Sequence, residues 1–157
     1  MPRSLVVIAE NIRSLHNVGA LFRTLDAVGG EKLFLCGYTG TPPDRRLEKV
    51  SLGAEKTLPW QAMPDALICI QQLTAEGYTV VALEQTPQAG DIFTHPWHRY
   101  DRLALLVGNE VDGCTPEALA LTFLHTQIPM HGVKHSLNVS VAAGIALYAL
   151  RYPPLSS

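Results

Sequence analysis

A chain of 157 residues, 47% hydrophobic and 17% charged, has the length of one domain and enough apolar content for a core, which excludes a disordered or fibrous protein. A net charge of −2 excludes a protein that is basic throughout, yet residues 1–60 hold eight of the 12 Lys and Arg against six acids. Three widely spaced cysteines (Cys36, Cys69, Cys114), a short apolar start in "MPRSLVVIAENIRS" and no run near the ~20 apolar residues that span a bilayer lead us to expect a cytoplasmic domain without disulfides.

In chain order, "SLVVIA" (4–9) reads as a buried strand. "HNVGALFRTLDAVGG" (16–30) carries Val18, Leu21, Phe22, Leu25 and Val28 on one stripe and predicts an amphipathic helix closed by Gly29-Gly30. "KLFLCG" predicts the next strand, and the charged, Pro/Gly-rich "TGTPPDRRLEKVSLGAEKT" at most a short helix. "DALICIQQLTAEG" is a helix stopped by Gly77, "YTVVALE" a buried strand, and "TPQAGDIFTHPWHRYD" a loop. "LALLV" (103–107) is a strand, and Thr115-Pro116-Glu117 has the cap, first-turn proline and acid of a helix start. "HTQIPM" (125–130) predicts a last short strand and "NVSVAAGIALYALRY" a last helix, stopped by Pro153-Pro154. Alternating strands and helices imply an α/β fold, a mostly parallel sheet flanked by helices, in a single domain over 1–157.

Ligands of such sheets sit beyond the carboxyl ends of the strands. Three strand ends are chemically loaded here: Leu83-Glu84-Gln85, Gly108-Asn109-Glu110 and Ile128-Pro129-Met130. Three further features stand beside them. Asn17 has the chemistry of a helix N-cap, while Gly19 early in a helix costs ~1 kcal/mol relative to Ala and suggests that something approaches the backbone. Arg23 lies off the apolar stripe, where a phosphate or sugar can meet it. Ser136, Asn138 and Ser140 before the last helix exceed what capping needs. That helix is apolar nearly all round, which fits either a subunit interface or a central core helix. His131 and His135 lack a partnering acid or cysteine, so no metal site is expected.

In order and content, "N-x-G-x-x-x-R-T" (17–24), "L-x-G-N-E-x-x-G" (106–113) and "I-P-M…S-L-N-V-S" (128–140) resemble the three motifs of the SpoU (TrmH-type) branch of the SPOUT RNA methyltransferases. The resemblance spans essentially the whole chain, the loop before Trp60 included. It implies an α/β fold with a C-terminal trefoil knot, S-adenosylmethionine as cofactor, a homodimer, and methylation of a ribose 2′-hydroxyl of tRNA or rRNA, with tRNA favoured. Carried over residue by residue, Arg23, Asn17, Glu110, Ser136 and Asn138 would form the catalytic set. Leu83, Gly108, Asn109, Ile128, Met130, Ser136 and Leu137 would hold the cofactor, with Gly108 baring the backbone for it. Arg23 would stand closest to the hydroxyl, as base or as phosphate clamp, and in a dimer it would be placed to serve a cofactor held by the other subunit.

Many relatives carry a further N-terminal RNA-binding domain or basic extensions, whereas in this chain no separate RNA-binding domain is expected beside the single domain over 1–157. Here the grip on RNA is expected from Arg13, Arg45, Arg46, Lys49 and Lys56 in the basic first third, with steep salt dependence. A non-catalytic RNA- or cofactor-binding dimer of the same fold is the alternative. An unrelated nucleotide-binding protein is disfavoured, since neither Gly-x-Gly-x-x-Gly nor Gly-x-x-x-x-Gly-Lys is present.

Overall fold

The apolar runs become parallel strands whose side chains are buried on both faces, which is why they are apolar throughout instead of alternating. The computed structural model describes residues 3–154. Its strands are β1 (Ser4–Glu10), β2 (Lys32–Cys36), β3 (Trp60–Met63), β4 (Thr79–Leu83), β5 (Gly90–Asp91), β6 (Arg102–Val107) and β7 (Leu124–Gln127). They form one sheet in the order β3-β2-β1-β6-β4-β7-β5 with every pair parallel. On one face Leu5, Val7, Leu33, Leu35, Leu103 and Leu105 pack under α1 (Leu15–Ala27) and α6 (Val139–Arg151). On the other Val6, Ile8, Phe34, Ala104 and Leu106 pack under α4 (Ala66–Ala75) and α5 (Pro116–Leu121).

The segment expected to hold at most a short helix contains two, α2 (Arg45–Ser51) and α3 (Ala54–Thr57). Asp44 starts α2 by accepting the Arg46 N–H, and Leu52 and Gly53 end it with positive φ, so the two helices are separated by one tight break. α2 lies across α1 at Gly19, where a Cβ would run into the Leu47 carbonyl oxygen and meet Val50. The close approach that this glycine suggested is thus made by the chain's own helix.

Two edge strands were not legible. β3 is half exposed, without an apolar run, and β5 has two residues inside what reads as a loop. The last strand is Leu124–Gln127, not 125–130, so Ile128–Met130 leave the sheet at its carboxyl edge. Trp97, expected in a loop, is fully buried in a single 3-10 turn, its indole N–H held by the Ile92 carbonyl at 2.7 Å.

α6 shows two unlike faces. Ala143, Ala146, Leu147 and Leu150 are buried, while Val141 and Tyr148, with Leu137 and Tyr152 at its ends, remain exposed. Arg151 in its last turn donates to the carbonyls of Val28 (2.9 Å), Gly29 (2.8 Å) and Arg3 (2.6 Å), tying α6 to the end of α1 and the start of β1. No helix among the described residues is long and apolar enough to cross a membrane. All three cysteines are buried free thiols.

Candidate active site

β6 runs through the core to the carboxyl end of the sheet, and Gly108 follows its last residue, Val107. The chain then turns back on itself: the Asn109 N–H donates to the Gly113 carbonyl at 3.1 Å, and the Gly113 N–H to the Asn109 carbonyl at 2.9 Å. Gly108 is pressed so closely on the Gly113–Cys114 backbone that a Cβ has no room. Its bareness is therefore required by the loop's own return, and the same residue lines the cavity beyond.

Asn109 is buried and fully used. Its Nδ2 donates to the Asn11 carbonyl (2.8 Å) and the Tyr38 hydroxyl (2.7 Å), and its Oδ1 accepts the N–H groups of Val111 (2.8 Å) and Asp112 (2.9 Å). Carboxylates from neighbouring strands complete the hold. Glu10 at the end of β1 takes the Thr115 N–H and hydroxyl, both at 2.8 Å, and Glu84 just after β4 takes the Cys114 N–H at 2.7 Å. Burial, with the Glu84 charge beside it, pushes the Cys114 thiol up, so it stays protonated. Neither Glu10 nor Glu84 was singled out as a site residue. The signal was an acid directly after an apolar run, noted for Glu84 only as part of a strand end.

Glu110 is the junction. Its Oε1 accepts the Arg13 N–H (2.8 Å), and its Oε2 the Ser14 N–H (2.8 Å) and Asn17 Nδ2 (3.0 Å). Partial burial opposes its charge, but the N–H donors of Arg13, Asn17 and Ser14 outweigh it and hold the carboxyl below the usual range. The cap of α1 is Ser14, whose hydroxyl accepts the Asn17 N–H at 3.2 Å. Asn17 is therefore not the cap: it sits inside the first turn with its side chain free to bridge. Its Oδ1 accepts from Asn138 Nδ2 at 3.2 Å. Asn138 in turn caps α6 through Oδ1, which accepts the N–H groups of Ser140 (2.9 Å) and Val141 (3.3 Å) and the Ser140 hydroxyl (2.6 Å). One hydrogen-bonded chain, Asn138–Asn17–Glu110, thus joins residues from all three sequence motifs.

A cavity of about 220 Å³ opens beside this chain at the carboxyl ends of β4, β6 and β7. All seven residues expected around a cofactor line it: Leu83, Gly108, Asn109, Ile128, Met130, Ser136 and Leu137. Glu84, Gln85, Val107 and Val139 complete much of the wall, and Glu110 borders it. Ser136 faces the cavity and takes no part in capping α6. The segment 131–138 is exposed throughout, fastened by Gln85 Nε2 on the His135 carbonyl at 2.7 Å and by Asn138. No group of three or more His, Cys, Asp or Glu among the described residues is arranged to hold a metal ion.

Arg23 is not brought into this cluster. It is exposed on α1, six residues and therefore roughly 9 Å of helix beyond Asn17. It forms no ion pair among the described residues. Arg13, Arg45, Arg46, Lys49 and Lys56 are likewise exposed, on and before the α1–α2–α3 flank. Arg46 is tied to Asp44 at 3.1 Å, an exposed pair that raises the guanidinium and lowers the carboxyl. Such a pair is weak and readily exchanged for a phosphate.

The family model described as SpoU rRNA Methylase family matches residues 4–148. A tRNA (guanosine(18)-2′-O)-methyltransferase of Thermus thermophilus is 36% identical over 148 residues, which cover 92% of this chain and 72% of that protein. The tRNA (guanosine(18)-2′-O)-methyltransferase TARBP1 of Mus musculus is 33% identical over 146 residues, 92% of this chain but 9% of that protein. The crystal structure of an AdoMet-bound rRNA methyltransferase from Sinorhizobium meliloti superposes with a TM-score of 0.88 at 28% identity, over 96% of this chain and 57% of that one.

Proposed function

The chain belongs to the SpoU rRNA Methylase family, and from that premise we propose that it transfers a methyl group from S-adenosylmethionine to a ribose 2′-hydroxyl of RNA, with tRNA the favoured substrate. The observation that carries the reading is the Asn138–Asn17–Glu110 chain at the border of the strand-end cavity. The Thermus thermophilus and Mus musculus relatives support tRNA, while the Sinorhizobium meliloti structure is that of an rRNA methyltransferase. The trefoil threading implied by the family likeness belongs to the same proposal. It is supported by the 131–138 segment lying against the residues that follow β4.

The wall suits the cofactor. Leu83, Ile128, Met130 and Leu137 offer an apolar surface for a purine, and no Lys, Arg or His repels a sulfonium. When bound, the cofactor supplies an electrophilic methyl group, so the chain's task is to orient the ribose hydroxyl and let its proton depart. Asn17 and Asn138 are amides that fix one another and present polar edges beside Glu110. Glu110, kept ionised, holds the loop before α1 against the loop after β6 and keeps those edges in place.

Arg23, outside this cluster in its own chain, fits the catalytic role in a homodimer, where it reaches a site of the second subunit. The exposed apolar stripe Leu137, Val141, Tyr148 and Tyr152 supplies a surface for that association. Arg13, Arg45, Arg46, Lys49 and Lys56 are the proposed contacts to the RNA backbone.

The test is radiolabelled methyl transfer from S-adenosylmethionine to unmodified total tRNA and, separately, to rRNA at low salt. Label in tRNA that makes one linkage resistant to alkali is the expected result. Cofactor binding without transfer to either pool would overturn it in favour of a binding-only dimer.

A further inference from the structure

Glu84 is a carboxylate that the catalytic reading leaves unused. It follows β4 directly and lines the cavity, whose wall contains, among the described residues, two carboxylates, Glu84 and Glu110, and no cationic side chain. Glu110 is satisfied by three N–H donors, whereas Glu84 accepts one, the Cys114 N–H at Oε2, with the Cys114 thiol also beside its carboxylate, and no N–H donor among the described residues meets Oε1. Oε1 is not sealed in the protein either, since the one buried side-chain oxygen left without a partner among the described residues is Glu55 Oε2. The carboxylate lies flat on Gly113, where a Cβ would come within 2.6 Å of Oε2 and 2.8 Å of Oε1. A glycine at that place lets the carboxylate rest against the loop at the cavity wall.

We propose that Glu84 is the polar anchor of the cofactor's nucleoside, its free oxygen accepting a hydrogen bond from the ribose diol. The inference rests on the cofactor reading above and assigns a residue and a ligand group within it. Position supports the diol over the cofactor's charged groups. The methyl group has to be delivered at the Asn17–Glu110–Asn138 cluster, beside α1 and β1, and Glu84 belongs to β4, separated from β1 by β6. Two strand spacings make that about 10 Å, so Glu84 faces a part of the ligand remote from the transferring methyl. The amino-acid end of the cofactor carries its ammonium and its carboxylate on one carbon. Beside Glu84 the attraction of the first is offset by repulsion of the second. A diol offers donors and no anion, and an acid after a parallel strand is a known way to bind one in dinucleotide-binding sheets.

The experiment is a cycle of binding constants by calorimetry on the full chain, with S-adenosylhomocysteine and its 2′-deoxy and 3′-deoxy forms as probes. In the wild type, loss of the engaged hydroxyl weakens binding by at least about 10-fold. Glu84→Ala weakens the parent ligand by a similar factor, and in this variant removing the same hydroxyl costs less than about 3-fold. If neither deoxy form costs the wild type anything, or if every hydroxyl whose loss weakens the wild type costs the variant as much, Glu84 only pins the Cys114 N–H and the proposal fails.

5′-Methylthioadenosine, which lacks the amino-acid end, separates the remaining source. The Glu84→Ala penalty persists with it here, and its disappearance would assign Glu84 to the ammonium instead. Glu84→Gln, which keeps an acceptor for Cys114, runs the same cycle should the Ala variant melt early. A wild type that does not bind S-adenosylhomocysteine at all would overturn the cofactor reading itself, an outcome distinct from failure of the anchor.

Discussion

Asn17→Asp turns the middle of the hydrogen-bonded chain into a test of its charge. The new side chain keeps the shape of the old one and the oxygen that accepts from Asn138, but replaces the donor 3.0 Å from Glu110 Oε2 by a second anion. Two unit charges at that separation repel by roughly 1.4 kcal/mol in water and roughly 5 kcal/mol at an effective dielectric of about 20. Glu110 is exposed, so screening keeps the repulsion near the lower end, about 2 kcal/mol. The lost hydrogen bond to a charged acceptor adds about 1.5 kcal/mol.

The pH dependence has opposite signs in the two proteins. In the wild type the folded Glu110 carboxyl lies below its unfolded value, so its contribution is present above about pH 4.3 and fades as pH falls through the lower folded value. In the variant one carboxyl of the pair retains its proton to higher pH. Its contribution is complete below the unfolded value and is lost as pH rises through the raised one. Urea unfolding of both proteins from pH 4 to pH 8 should therefore show a stability gap that opens from under about 1 kcal/mol to about 3.5 kcal/mol. A gap that stays flat across that range would mean that the two side chains do not meet in solution, and the bridge between the motifs would be refuted.

Arg23→Ala should lower methyl transfer at least about 100-fold while cofactor affinity and urea midpoint stay near wild type, because the side chain is exposed and forms no ion pair among the described residues; retained transfer would remove Arg23 from the catalytic set. Gly19→Ala, which in a free helix would gain ~1 kcal/mol, should instead destabilise by about 1–3 kcal/mol, since α2 must retreat from α1; a raised urea midpoint would show that the contact at Leu47 gives way easily. Val141→Glu should convert a dimer to monomers in sedimentation at micromolar protein without unfolding it, because Val141 is about half exposed on α6; an unchanged dimer would move the interface elsewhere.

What the sequence reveals and conceals here follows from where each residue's partner lies. Strands buried on both faces are legible as unbroken apolar runs, so β1, β2, β4 and β6 are foreseen close to their bounds. β3 and β5 lie at the sheet edges, are only partly covered and carry no such run, and α2 and α3 hide among prolines and glycines that are their punctuation. For the site, Asn17, Glu110 and Asn138 are named by motif, and the structure adds the bonds that join them. The cap of α1 is misjudged because Ser14, three residues earlier, does that work. Glu10 and Glu84 escape because their partners, Thr115 and Cys114, lie 105 and 30 residues away and only the strand order brings them together.

That same distribution of partners divides the site into a part whose backbone is tied down and a part held mainly by side chains. From Asn109 to Thr115 nearly every backbone N–H has an acceptor: Gly113 for Asn109, Asn109 for Val111, Asp112 and Gly113, Glu84 for Cys114, and Glu10 for Thr115. From His131 to Leu137 no backbone N–H has an acceptor among the described residues, and the segment is exposed although Ser136 and Leu137 belong to the cavity wall. The first loop is therefore preorganised and pays no ordering cost on binding, whereas the second is expected to gain order from the ligand. Amide exchange of the ligand-free protein should find 109–115 protected and 131–137 exchanging freely. Addition of S-adenosylhomocysteine should slow exchange in 131–137 by at least about 10-fold while changing 111–115 little, because the gain in order is confined to amides that lacked partners. Equal protection gained by both loops would mean that the ligand builds the whole site, and the carboxylate ties from β1 and β4 would then be a property of the bound state rather than the scaffold that awaits it.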